Sequence, residues 1–179
     1  IITTRLTADL LDIMLQDSAH IQEQDAEYQN RKHKRAGRPE VEPIYTVADA
    51  LRVREFIQTC EYGEEVPVVE GVTARFIDAG HLLGSASIKL TCHEGDETRT
   101  VVFSGDIGNV DQPIIRDPQF FDSADYVLTE STYGDRNHTE VWSYTGQLAE
   151  IIDETLGKGG NVVIPSFPEG RPQELRYCI

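Results

Sequence analysis

The chain has 179 residues and a net charge of −15, with 31 Asp and Glu against 16 Lys and Arg. That length suits one compact domain or parts of two, and no run of about 18 apolar residues offers a membrane-spanning helix. The acidity argues against broad, charge-driven nucleic-acid binding, because phosphate contacts normally come from Lys and Arg. No secretory signal opens the chain. Cys60, Cys92 and Cys178 are scattered and odd in number, with no CxxC pair, so neither a disulfide framework nor a cysteine zinc site is expected. A reducing cytoplasm is the expected location.

In chain order, Thr7 and Asp9 signal a helix start, with Leu10, Leu11, Ile13 and Met14 at helical spacing. Ser18 is expected to open a second, mostly polar surface helix that runs to Ala36 and stops at Gly37. Arg31, Lys32, Lys34, Arg35 and Arg38 form the only dense basic cluster, read either as a solvated helix end or as a phosphate-contacting patch. Pro39 and Pro43 mark a loop. Thr46-Val47-Ala48-Asp49 signals a capped helix whose buried face is Ala50, Val53, Phe56 and Ile57, ended by Gly63. Residues 66–69 read as a short strand and Gly71 as a turn. Strands follow at 72–77 and 86–92, the latter alternating Ile88, Leu90 and Cys92 against Ser87, Lys89 and Thr91. Residues 93–97 read as a hairpin turn into a strand at 98–103, despite a His and acids that suggest a metal. Strands are expected again at 126–129 and, buried, at 162–165. A helix capped by Ser143 or Thr145 lies between them, and another runs over 170–178. This order suggests a parallel sheet.

The chemistry concentrates where three of these strands end. One breaks into Asp78-Ala79-Gly80-His81, the next into Ser104-Gly105-Asp106, the third into Glu130-Ser131-Thr132-Tyr133-Gly134. Strand ends hold His81, Asp106 and Glu130 with little slack, as loops on a rigid sheet commonly do. Singly, a strand-end His or a Ser-Gly-Asp turn is an ordinary structural feature.

Taken in order, Asp78-Ala79-Gly80-His81-Leu82-Leu83-Gly84-Ser85-Ala86, Phe103-Ser104-Gly105-Asp106-Ile107-Gly108 and Glu130-Ser131-Thr132-Tyr133-Gly134-Asp135-Arg136 resemble the zinc-dependent β-CASP nucleases of the metallo-β-lactamase fold, in particular their RNA-processing branch. The resemblance implies an α/β chain: residues 1–139 as the later half of the αββα metallo-β-lactamase sandwich, and 140–179 as the start of a Rossmann-like β-CASP insertion. It implies an internal fragment, with the family's HxHxDH motif upstream and two histidines downstream. His81 would then bind one of two zinc ions and Asp106 would bridge both. Glu130 would orient a histidine that protonates the leaving oxygen. The corner at 165–175 resembles the family's strand-to-helix turn, with Pro168, Glu169 and Pro172 as departures.

Two metal ions suit phosphodiester hydrolysis because they neutralise phosphate charge and activate water. Zinc accepts His nitrogen and carboxylate oxygen. The resemblance thus implies a ribonuclease acting on single-stranded RNA, free of the membrane, and admits a homodimer. The rivals are a DNA-repair nuclease of the same superfamily and an inactive RNA-binding subunit. The Glu at position 130 leans toward RNA, since the DNA-directed relatives commonly carry Asp there.

Overall fold

The computed structural model describes residues 1–137, 144–166 and 170–178. Contacts divide the chain into two compact units, Ile1–Ile77 with Leu90–Arg99, and Asp78–Lys89 with Thr100–Ile179.

The first unit opens with strand β1 (Ile2–Thr4), which pairs in parallel with β2 (Gln58–Cys60), Thr4 opposite Cys60. Neither strand is visible in the sequence pattern. Each has three residues, too few to display a period of two, and they meet across more than fifty positions. Between them, α1 (Arg5–Ala36) is one unbroken helix rather than the two expected. Its cap is Thr4, whose side chain accepts from Thr7 N, so the start falls three residues earlier than Thr7 suggested. Ser18 does not open a new helix, because its hydroxyl is engaged by Tyr45 Oη at 2.5 Å and does not compete for the backbone. Gly37 stops the helix as expected, at φ 65°, in the left-handed region that glycine enters without a Cβ clash.

The polar character of α1 has uses beyond solvation. Asn30 clasps Val41 at both its N–H and its C=O, each at 2.8 Å. Glu23 Oε1 accepts from Val47 N. These bonds tie down the proline loop, and the small Ala19 and Ala26 form the buried positions of the helix. Helix α2 (Val47–Arg52) begins with the expected capping box: Thr46 and Asp49 each bond the other's backbone N–H. It is shorter than expected and passes into a 3-10 turn at Val53–Phe56. Of the four residues assigned to its buried face only Ala50 is buried; Phe56 is 60% exposed. The 3-10 turn rotates the later residues off the α-helical face.

Strands β3 (Glu65–Val69), β4 (Val72–Asp78), β5 (Ala86–Glu94), β6 (Glu97–Phe103) and β7 (Tyr126–Leu128) hydrogen-bond in that order. β3 and β4 are antiparallel across the Gly71 turn. The turn between β5 and β6 narrows to Gly95 and Asp96, in keeping with a hairpin. β5 does not alternate as expected. Its buried residue is Ser87, whose hydroxyl donates to Ser104 O, and Ile88, Leu90 and Cys92 are only half-buried. A strand with neighbours on both edges takes its burial from what covers each face, which local periodicity does not report.

In the second unit β6 and β7 pair in parallel, Phe103 opposite Leu128. Asp125 fixes their start by accepting from both the N–H and the hydroxyl of Thr100. Helices α3 (Tyr144–Gly157) and α4 (Arg171–Cys178) lie where expected, although Ser143 falls outside the described residues. The expected buried strand at 162–165 is not formed, and Val163 is 85% exposed. A strand needs a neighbour for its backbone bonds, and residues 162–165 pair with no strand in the described structure. The chain is of mixed α/β type, as the sequence implied.

Candidate metal centre

All three candidate residues belong to the second unit. His81 sits in the loop between β4 and β5, a loop that Ser85 organises. Ser85 Oγ accepts from His81 N and Leu82 N, each at 3.1 Å, and Ser85 N donates to Leu82 O. Asp78 closes the other side by accepting from Gly80 N at 2.9 Å. Asp106 follows β6 in a loop that meets the His81 loop directly: Gly108 N donates to Ala79 O at 2.8 Å.

Two glycines make that approach possible. Gly80 has φ 65°, and a Cβ there would stand 2.6 Å from Pro118 N and 2.9 Å from Arg116 O. A Cβ on Gly108 would overlap the Gly80 carbonyl and lie 2.7 Å from His81 N. A third glycine, Gly170 before α4, leaves room for Leu82, whose Cδ2 a Cβ there would meet at 2.7 Å. Gly170, within the corner singled out at 165–175, thus lies against the His81 loop. Residues 167–169, which carry two of the corner's departures from the family form, are outside the described residues.

The outcome is that His81 Nε2 and Asp106 Oδ2 stand 3.9 Å apart, with side chains 43% and 76% exposed. Zinc binds His nitrogen and carboxylate oxygen at about 2.0–2.2 Å, so two donors of one ion lie within about 4 Å of each other. An imidazole and a carboxylate at this separation fit as two ligands of a shared ion. Among the described residues no group of three or more His, Cys, Asp or Glu is placed to hold a metal. The acidic turn near His93 accordingly forms no second centre; His93 Nδ1 instead meets Thr98 Oγ1 at 2.9 Å.

Glu130 follows β7, and its own N–H donates to Ser104 Oγ. Its carboxylate accepts from Ile107 N at 2.7 Å and from Thr132 Oγ1 at 2.8 Å. The Ile107 amide, then the Thr132 hydroxyl, hold this carboxyl below the usual carboxylate range. The bond to Ile107 anchors the backbone one residue after Asp106. The sequence carries no signal for the role of Ile107, because a backbone amide looks the same in every residue. The pin is fully in place above the ordinary Glu pKa of about 4.3 and is lost only as pH falls through the lower folded value. Glu130→Ala should speed hydrogen exchange of the Ile107 amide by at least about tenfold, since a charge-assisted bond is lost. Hydrogen–deuterium exchange reads this directly, and unchanged Ile107 protection would remove the pin.

Outside this centre, Arg31, Lys32, Lys34 and Arg35 of the basic cluster occupy the last turns of α1 in the first unit, and Arg38 follows the Gly37 stop. His20 Nε2 accepts from Gln24 Nε2 at 2.8 Å, an ordinary pair one turn apart on the helix.

No family model matches the chain. Individual proteins do. Ribonuclease TTHA0252 of Thermus thermophilus is 33% identical over 176 residues, covering 98% of this chain and 36% of that protein. An RNase J-like protein of Methanocaldococcus jannaschii is 35% identical over 138 residues, covering 75% of this chain and 32% of that protein. Transcription termination factor FttA of Thermococcus kodakarensis is 29% identical over 182 residues, covering 100% of this chain and 26% of that protein. The chain therefore belongs to the β-CASP nuclease family, of mixed α/β metallo-β-lactamase type. It spans roughly a third or less of the length of these relatives.

Proposed function

We propose that the protein of which this chain is a part is a zinc-dependent ribonuclease that hydrolyses RNA phosphodiester bonds. The observation that carries the proposal is the imidazole–carboxylate pair at 3.9 Å, set on adjoining loops in a chain whose relatives are named ribonucleases. In this reading His81 would hold one zinc and Asp106 would serve both, because a carboxylate has two oxygens to offer. The remaining ligands come from outside the matched segment. Zinc bound there would neutralise phosphate charge and lower the pKa of water. The Ser85 hydroxyl accepts from the backbone N–H groups of 81 and 82 and so fixes the backbone that carries the His81 ring. Glu130 keeps the Asp106 loop in register. With two of its acceptor sites used, its carboxylate can still take a histidine from elsewhere in the protein.

Residues 1–139 then belong to the metallo-β-lactamase domain and 140–179 to the beginning of the β-CASP insertion. The substrate is single-stranded RNA, met in the cytoplasm. Cys60 and Cys92 are free thiols, and no helix among the described residues is long and apolar enough to cross a membrane.

The test is cleavage of matched RNA and DNA oligonucleotides by the full-length protein with added zinc. RNA should be cut and DNA of the same sequence left largely intact, because the 2′-hydroxyl offers a contact that DNA lacks. Equal cleavage of both would favour the DNA-repair alternative, and cleavage of neither, with RNA still bound, the inactive subunit.

A further inference from the structure

The end of α1 carries chemistry that the metal centre does not use. Five of the sixteen Lys and Arg residues lie between Arg31 and Arg38, and no Asp or Glu occurs from Tyr28 to Arg38, in a chain with 31 acids. On a helix, positions 28, 31, 32 and 35 share one face. All four residues are exposed, Tyr28 by 52%. Lys32 Nζ lies 4.2 Å from the centre of the Tyr28 ring and Arg31 Cζ 5.9 Å from it. A hydrogen bond from Lys32, and then its charge, pull the Tyr28 phenol below its usual range.

None of these cations is ion-paired with a carboxylate among the described residues, whereas Arg54, Arg99 and Lys158 are paired with Asp12, Glu97 and Glu154. The helix dipole accounts for cations in the last turn. It does not account for Arg31 and Lys32 a turn earlier, nor for an exposed aromatic ring among them. Like charges one turn apart, such as Arg31 and Arg35, repel. An unpaired cationic face with an aromatic ring at its centre is complementary to a polyanion that has flat, stackable rings.

We propose that Tyr28, Arg31, Lys32 and Arg35 form a docking stripe for single-stranded RNA, with phosphates on the three cations and an unstacked base on the tyrosine ring. The stripe is about 10 Å long at helical rise, a footprint of a few nucleotides. A single strand is the occupant because only there are base faces free to meet a side chain. The inference rests on the reading of this protein as RNA-directed.

The experiment uses the full-length protein and a labelled oligouridylate of roughly 20 nucleotides, with binding followed across a salt series. The triple variant Arg31→Gln/Lys32→Gln/Arg35→Gln should bind at least about tenfold more weakly. Its log–log salt slope should fall by about 2, at about 0.7 per phosphate contact on a single strand. Tyr28→Leu should weaken binding by about tenfold through lost stacking, and Tyr28→Phe should bind as wild type. Arg99→Gln, at a cation already paired with Glu97, should leave the slope unchanged. Circular dichroism confirms that each variant keeps its helices. RNA cleavage by the wild type, with affinity and slope unchanged in the triple variant, overturns the stripe and leaves the ribonuclease reading standing. RNA left uncut by the wild type, with binding still lost in the triple variant, refutes the ribonuclease reading and keeps the stripe.

Discussion

Asp106→Asn in the full-length protein is expected to remain folded, lose metal and lose RNA cleavage by more than the roughly 100-fold that removal of an orienting partner costs. The side chain is 76% exposed, so the change leaves no cavity and no buried unpaired group. What it removes is the negative charge beside His81 Nε2. An amide of the same shape keeps one carbonyl acceptor, but it cannot offer two anionic oxygens to two cations. Asp106→Ala should behave the same way, which separates loss of charge from loss of shape. Elemental analysis and cleavage assays on both variants decide the matter. Near-normal cleavage with metal retained would refute the bridging role.

Gly108→Ala is expected to match that loss of activity from a residue with no chemistry of its own. The added methyl would overlap the Gly80 carbonyl and press on His81 N. These are backbone atoms and cannot rotate aside. Gly80 is itself tightly placed, since a Cβ on it would stand within 3 Å of Pro118 N and Arg116 O. One of the two loops must therefore move. A displacement of about 1 Å at a catalytic group can cost on the order of 100-fold in rate, and overpacking of this kind destabilises by about 1–3 kcal/mol. Gly146→Ala in α3 is the control, since nothing lies within 4 Å of a Cβ there and alanine favours helix. The readouts are kcat, zinc content and thermal stability. Wild-type values for Gly108→Ala would show that the two loops are not interlocked.

The same pair of loops separates what the sequence by itself determined from what only the tertiary structure decided. Features closed within a few residues were legible. The Thr46–Asp49 box, the Gly37 stop, the strands β3 to β6 and the loops after β4, β6 and β7 follow from local chemistry: a cap satisfies an orphan N–H, glycine enters left-handed backbone, and apolar runs bounded by glycine form strands. The ligand candidates His81 and Asp106 were legible as residue types at strand ends, and three motifs in order pointed to their family.

Features that join distant parts of the chain were not legible. β1 and β2 are strands because they have each other, while residues 162–165, with a stronger apolar signal, pair with no strand among the described residues and form none. α1 runs through Ser18 because Tyr45, 27 residues on, takes the hydroxyl. Glu130 was visible as a strand-end acid, but its bond to the Ile107 amide depends on β6 and β7 pairing side by side. Gly80 and Gly108 show nothing of each other in the local sequence. Only the packing of one loop on the other turns them into the contact that sets His81 3.9 Å from Asp106. The physical reason is common to all of these. Local preference reports the conformations a residue favours, whereas a pairing, a close approach or a buried bond belongs to two segments at once and arises only when the fold brings them together.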